Sequence, residues 1–177
     1  GIAATRYCEG CHAPIALLTG QLTPGGKHGG VSDTAANDEG ISCMSCHGIN
    51  QLTSSEGVAS YNFKARTAYL FEHANFWLLK NLNHLVINLK PSLHKKELQP
   101  DLLTTSEYCG SCHTQFMDKS MNEWGWVKMQ DELLAWANSK FNMPKDSRFT
   151  HPKNKQCQDC HMPLIEGHDQ AADVNGK

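Results

Sequence analysis

Every cysteine in this chain sits in the same five-residue pattern, and that pattern limits the fold more than any other feature. The eight cysteines fall as Cys8/Cys11, Cys43/Cys46, Cys109/Cys112 and Cys157/Cys160, with two residues inside each pair. A histidine follows each pair at once, so that His12, His47, His113 and His161 close the motifs CEGCH, CMSCH, CGSCH and CQDCH. Histidine fills ten of the 177 positions, and four placements out of four behind a CxxC have chance odds on the order of 10⁻⁵.

Three chemistries use a CxxC. A zinc ribbon draws its second ligand pair from another knuckle and has no need of the histidine. A redox dithiol needs one CxxC beside a βαβ pattern, which is missing here. Covalent haem attachment needs the whole pattern. Two thiols add to the two porphyrin vinyl groups, and in a helical turn Cys at i and i+3 and His at i+4 share one face. Four separate zinc knuckles or disulfides are the bland alternative. Four copies that use every cysteine favour four haem c groups. The thioether cysteines are then Cys8, Cys11, Cys43, Cys46, Cys109, Cys112, Cys157 and Cys160, and the proximal axial ligands His12, His47, His113 and His161.

One haem for roughly every 44 residues of the 177 is too dense for an ordinary side-chain core. The porphyrins are expected to supply much of the buried surface, to stack or meet edge to edge, and to leave the haem-free chain largely unfolded. Their propionates would add up to about eight negative charges to a formal charge of −2, which fits redox partners with basic patches and argues against nucleic acid. The apolar clusters FWLL and LVINL are too short to span a bilayer. The chain opens GIAATRYCEG, without Met, a basic n-region or an apolar h-region, and reads as processed or excised with its export signal elsewhere. Thioether attachment outside the energy-coupling membrane, and cysteines used only in pairs, place it in the periplasm or outside the cell.

Each iron needs a second axial ligand unless its site is open. Six histidines remain: His28, His73, His84, His94, His151 and His168. His73 and His84 lie in FEHANFWLLKNLNHLVINL, where a continuous helix with Phe76, Leu79, Leu82, Val86 and Leu89 on its apolar stripe would set both imidazoles on one face, about 16 Å apart. His94 lies past Pro91, where that helix should have ended. His28 sits in a glycine-rich loop, PGGKHGG. His151 and His168 are reserve candidates, one close to its own motif and the other in the terminal stretch. Met162 starts on the proximal side of its haem, while Met117, Met121 and Met129 read as helical packing residues. Low-potential bis-histidine haems follow.

The fold class read from these patterns is mainly α with long loops and little or no β-sheet, a single haem-filled domain over 1–177. The expected helices cover 61–90, 105–120 with a Thr or Ser N-cap, and 123–141, the last carrying Trp124, Trp126 and Trp136 as planar groups suited to porphyrins or to plain packing. Segments 20–42 and 142–156 read as loops. The first cysteines are spaced 35, 66 and 48 residues apart, so no solenoid repeat is present. The contexts RYCEGCH and EYCGSCH do pair, which suggests di-haem halves 1–60 and 90–177 joined by helix 61–90.

With the motifs placed, the chain resembles the multihaem c-type cytochromes related to the tetrahaem electron carrier of ammonia-oxidising bacteria. The likeness runs through KPSLHKKELQPDLLTTSEYCGSCH, ELLAWANSKF and QCQDCHMP over 91–163, and through YCEGCHAPIALLTG and EGISCMSCHGI. It implies a haem-filled helical fold, an electron-transfer role and His94 as a distal ligand. Relatives run on past CHMP to a further His, so one distal ligand is open to supply from elsewhere or from another subunit, and ligands crossing between subunits would permit a multimer or filament.

Two other functions compete with an electron carrier. An enzyme with one open iron would act on a small nitrogen or oxygen species, but every motif here keeps its His and no Ser/His/Asp set, phosphate loop or carboxylate pair stands out. A filament protomer differs from the carrier mainly in assembly.

Overall fold

Short helices joined by two antiparallel ribbons make up the computed structural model, which describes residues 8–21, 35–55, 57, 59–98, 101–119, 122–142, 155–163 and 165. In chain order the elements are α1 (8–12), α2 (Pro14–Leu18), α3 (Ala35–Glu39), α4 (Cys43–His47), β1 (Ile49–Leu52), β2 (Tyr61–Phe63), α5 (Trp77–Leu89), α6 (Pro91–Leu98), α7 (Ser106–His113), β3 (Thr114–Met117), β4 (Val127–Asp131), α8 (Glu132–Ala137) and α9 (Gln158–His161). Short 3₁₀ turns cover Asp101–Thr104 and Lys140–Asn142. A mainly helical chain with little sheet is what the sequence suggested. No described helix is long and apolar enough to cross a membrane.

Local chemistry sets several element ends. Pro14 opens α2, where its missing N–H costs nothing. The Thr105 side chain caps α7 by accepting from the Tyr108 N–H at 3.3 Å, as expected of a Thr or Ser there. Asp131 caps α8 in the same way, through the Leu134 N–H at 3.3 Å. Pro91 does break the long helix, and Lys90 leaves helical geometry. However, Pro91 also starts α6, so His94 is helical rather than in a loop.

Three expected helices come out shorter. Only Trp77–Leu89 of 61–90 is helical: Tyr61–Phe63 pairs with β1, and the turn before α5 is held by Arg66 and Glu72. His73 therefore precedes the helix, and the shared face proposed for His73 and His84 is not formed. The helix over 105–120 stops at His113, and the one over 123–141 is replaced by β4 followed by α8. The cause is a ribbon that local patterning conceals. Thr114 pairs with Asp131 and Met117 with Val127, across a bulge between Gln115 and Phe116. Met117 and Met129 are therefore strand residues, and Trp124 and Trp126 lie in the connection between strands. There Asn122 folds the chain tightly, its Oδ1 accepting from the Trp124 N–H at 2.7 Å and the Gly125 N–H at 2.9 Å.

The other ribbon pairs Ile49 with Phe63 and Leu52 with Tyr61. Its connection rests on α7: the Ala59 N–H donates to the Ser111 carbonyl at 2.8 Å, and Gly57 packs on Thr114. Both residues hold positive φ, 72° at Gly57 and 57° at Ala59.

The core is thin. Among the described residues the buried hydrophobics are Ala16, Ile49, Ile87 and Tyr108, while 18 large hydrophobics are exposed. Helix α5 packs on a face to one side of its expected stripe, burying Asn83 and Ile87 and leaving Leu82, Val86 and Leu89 of the stripe exposed, together with Leu78 and Leu85. Covering one such side chain is worth about 1.5–3 kcal/mol, so the fold leaves a large apolar surface for something else to cover.

Candidate functional site

All four CxxCH motifs are helical. The first is α1 and the second is α4; the third forms the last turns of α7, and the fourth is α9 with Cys157 itself in helical geometry at its cap. In each, the two cysteines and the histidine stand at i, i+3 and i+4 of one helical turn, the spacing that puts them on one face. No disulfide forms among the eight thiols, and none of them is fully buried.

The motifs come together on α7. Tyr108, the residue before Cys109, is 8 % exposed and its Oη donates to the Cys46 carbonyl at 2.7 Å, which joins the second motif to the third. Tyr61 Oη donates to the Gly10 carbonyl at 2.6 Å, which ties the first motif to β2. Ser106, fully buried, accepts the Cys157 N–H at 3.0 Å, while its own N–H donates to Gln156 Oε1 at 2.7 Å. These two bonds join the third motif to the fourth. Trp136 adds a bond from Nε1 to the Lys155 carbonyl at 2.7 Å.

Between these elements lies a cavity of about 390 Å³, within the size range of small-molecule sites. Its wall includes Cys11, Cys46, Cys109, Cys112 and Cys157, so cysteines from all four motifs line one space. His113, His161 and Met162 also line it.

The remaining three thiols are not gathered there. Cys160, expected as a haem thioether together with Cys157, is exposed and stands outside this wall, and so do Cys8 and Cys43. For the fourth motif the reason is local. The bond from the Cys157 N–H to Ser106 seats the start of α9 against α7, while the short helix carries Cys160 on to the surface. The structure thus brings only one cysteine of the first, second and fourth pairs into the common space, and both of the third.

The thiols inside sense one another. Cys11 Sγ lies against Cys112, 4.0 Å from its carbonyl oxygen; the neighbouring Cys11 thiol draws the Cys112 thiol down against the opposing effect of burial, with a bond from Ser111 adding to it. The same contact with Cys112, then burial, raises Cys11. Burial, then its neighbour Cys157, pushes Cys109 up to about 11. Burial likewise raises Tyr61 and Tyr108, and nearby thiols add to it.

One of the histidines expected as proximal ligands has the tautomer a metal ligand needs. His47 Nδ1 donates to the Leu98 carbonyl, so Nε2 carries the lone pair. A backbone acceptor behind the imidazole is the usual partner of a metal-bound histidine. His12, His113 and His161 are exposed.

The distal candidates divide. His94 is half-buried on α6, and burial, then Arg66 and His47, lowers its pKa. His84 is exposed on α5, yet it lines the same cavity of about 240 Å³ as His94. His73 is exposed in the turn before α5. His28, His151 and His168 lie outside the described residues, as does Met121. Sequence reasoning passed over Tyr61, Tyr69, Ser106 and Tyr108. The repeated Tyr-Cys of RYCEGCH and EYCGSCH was the one signal that could have singled out Tyr108.

The residues fit covalent haem. Each motif offers two accessible thiols and an imidazole on one helical turn, and the uncovered apolar side chains suit a large flat hydrophobic group. Among the described residues no group of three or more His, Cys, Asp or Glu side chains is gathered to hold a metal ion. A haem iron asks for two protein ligands only. No protein family, curated protein or solved structure compared with the chain matches it.

Proposed function

We propose that the chain is an extracytoplasmic tetrahaem c-type cytochrome that passes electrons between redox partners. The observation that carries this reading is the convergence of four helical CxxCH turns on one cavity lined by at least one cysteine from each of them. The resemblance to multihaem cytochromes over 91–163 points the same way, as do the thin core and exposed apolar side chains. Bound haem would supply reversible one-electron iron chemistry.

The protein's share is to hold and to tune. Each CxxC would attach one porphyrin through two thioethers, and His12, His47, His113 and His161 would each ligate the iron of the haem their own motif holds. His47 is oriented for this by Leu98. His94, His84 and His73 are the distal ligands proposed among the described residues. Tyr108, Tyr61 and Ser106 lock the motif helices together, so the attached groups would be held at short, fixed separations. A periplasmic or extracellular location follows from thioether formation.

The test is the mature protein made in an export-competent host with haem-attachment machinery. A pyridine haemochrome assay should give four haems per chain. Titration of the reduced protein with carbon monoxide should show no binding, with wholly low-spin ferric spectra. About one carbon monoxide per chain with a high-spin component would replace the carrier with an enzyme that keeps one open iron. Absence of covalent haem would refute the reading.

A further inference from the structure

His94 is not held by its helix alone. Its Nδ1 lies 2.7 Å from Tyr69 Oη, and the two rings sit 5.7 Å apart between centroids. Tyr69 is itself fixed in its turn. Its N–H donates to Glu72 Oε2 at 2.9 Å, and the Arg66 guanidinium stacks over its ring at 4.9 Å. Arg66 in turn forks onto Glu72, with Nη1 donating to Oε2 at 2.7 Å and Nη2 to Oε1. A bidentate pair of this kind is geometrically specific, so the phenol has little freedom to swing away. On the far side, α6 is anchored through the Leu98 carbonyl to His47, four residues on from His94. Tyr69, His94 and His84 share the wall of one cavity of about 240 Å³.

We propose that Tyr69 is the positioning residue for His94 as a distal axial ligand, accepting a hydrogen bond from Nδ1–H so that Nε2 is the nitrogen offered to iron. The inference rests on the tetrahaem reading. An acceptor on the outer nitrogen of a metal-bound imidazole fixes the ring and raises its basicity. A more basic imidazole favours the ferric state, so Tyr69 lowers the potential of the one haem that His94 serves. Arg66 and Glu72 act a step further out, by holding Tyr69.

Two variants of the haem-loaded protein test this. His94→Gly should convert one of the four irons to a high-spin form that binds carbon monoxide, and added imidazole should restore it. Tyr69→Phe should keep four low-spin, carbon-monoxide-silent haems while one of four one-electron components moves positive. A loss of up to roughly tenfold in that haem's preference for the ferric state corresponds to about 59 mV. One low-spin electron paramagnetic resonance signal should move with it. Unchanged potentials and signals in Tyr69→Phe would show the contact to be structural only and overturn the proposal. So would a His94→Gly protein with four low-spin haems and no carbon monoxide binding, which leaves the tetrahaem reading standing. Wild-type protein without covalent haem overturns both.

Discussion

Replacing Gly57 by alanine gives the sharpest test of how the first ribbon is seated on the third motif. Gly57 has φ of 72°, and a Cβ built there would lie 1.8 Å from the Thr114 carbonyl oxygen and 2.5 Å from its carbon. Two separable costs follow. Holding alanine in the left-handed region costs about 1–2 kcal/mol. The clash is with backbone rather than with the tip of a flexible side chain, and relief by local displacement adds about 1–3 kcal/mol. Gly20 supplies the control, since its φ is 70° and a Cβ there meets no atom of the described residues within 4 Å. Gly20→Ala should therefore show the first cost alone, and Gly57→Ala the sum, about 2–5 kcal/mol. Urea unfolding of the haem-loaded protein measures both, with the slope expected to stay constant and the midpoint to fall. Thr114 directly follows His113, so if His113 is a proximal ligand as proposed, Gly57→Ala should also loosen it and raise a small high-spin component. Equal midpoints for the two variants would refute the reasoning, because the contact with Thr114 would then carry no energy.

Three further outcomes follow from the contacts around α7 and His94. Ser106→Ala leaves the Cys157 N–H without its acceptor at a site with no exposure; it should cost about 1–3 kcal/mol in urea unfolding, and a midpoint equal to wild type would remove Ser106 as the link between the third and fourth motifs. Trp136→Phe loses the bond to the Lys155 carbonyl and should cost about 1 kcal/mol while making the chain before Cys157 more open to protease. Glu72 is held below its ordinary value of 4.5, first by its bond from Arg66. Its contribution is therefore complete above that ordinary value and lost as pH falls through the lower folded one. Glu72→Gln should cost about 0.5–1 kcal/mol at neutral pH and nothing once the pH lies well below the folded value; a loss that is the same at both would contradict the pairing.

The parts of the site that could be read from sequence are those whose chemistry is local. A CxxCH turn defines itself within five residues, and all four motifs were found on helices. Which cysteine of a pair would face the common cavity was not legible, because Cys157 and Cys160 are separated by how α9 docks on Ser106 and not by their own spacing. Thr105 as the cap of α7 was legible, since a cap is decided by its next three residues. The ribbons were not. The pairing of Thr114–Met117 with Val127–Asp131 is a tertiary decision, made across a turn that Asn122 builds; Thr114–Met117 shows no alternation, and the alternation of Val127–Gln130 covers only four residues. The stripe on α5 misled in a different way. Its leucines have helical spacing, but the face packed on the chain is the one with Asn83 and Ile87.

That mismatch is informative when set beside the motifs. In an ordinary domain an apolar stripe predicts the core because side chains are the only material available to cover it. Here the polypeptide joins its motif helices with polar bonds instead: Tyr108 to Cys46, Tyr61 to Gly10, Ser106 to Cys157. Each is directional and fixes a motif helix at a set distance, against another helix or, for Tyr61, against strand β2, which a slippery apolar contact would not do. Leu78, Leu82, Leu85 and Leu89 stay uncovered in the same fold. A chain that uses hydrogen bonds for spacing and leaves leucines exposed is arranged to hold something apolar at defined separations. The four covalently attached haems proposed for this chain would meet both conditions, whereas a zinc knuckle would satisfy neither, since a metal ion covers no apolar surface.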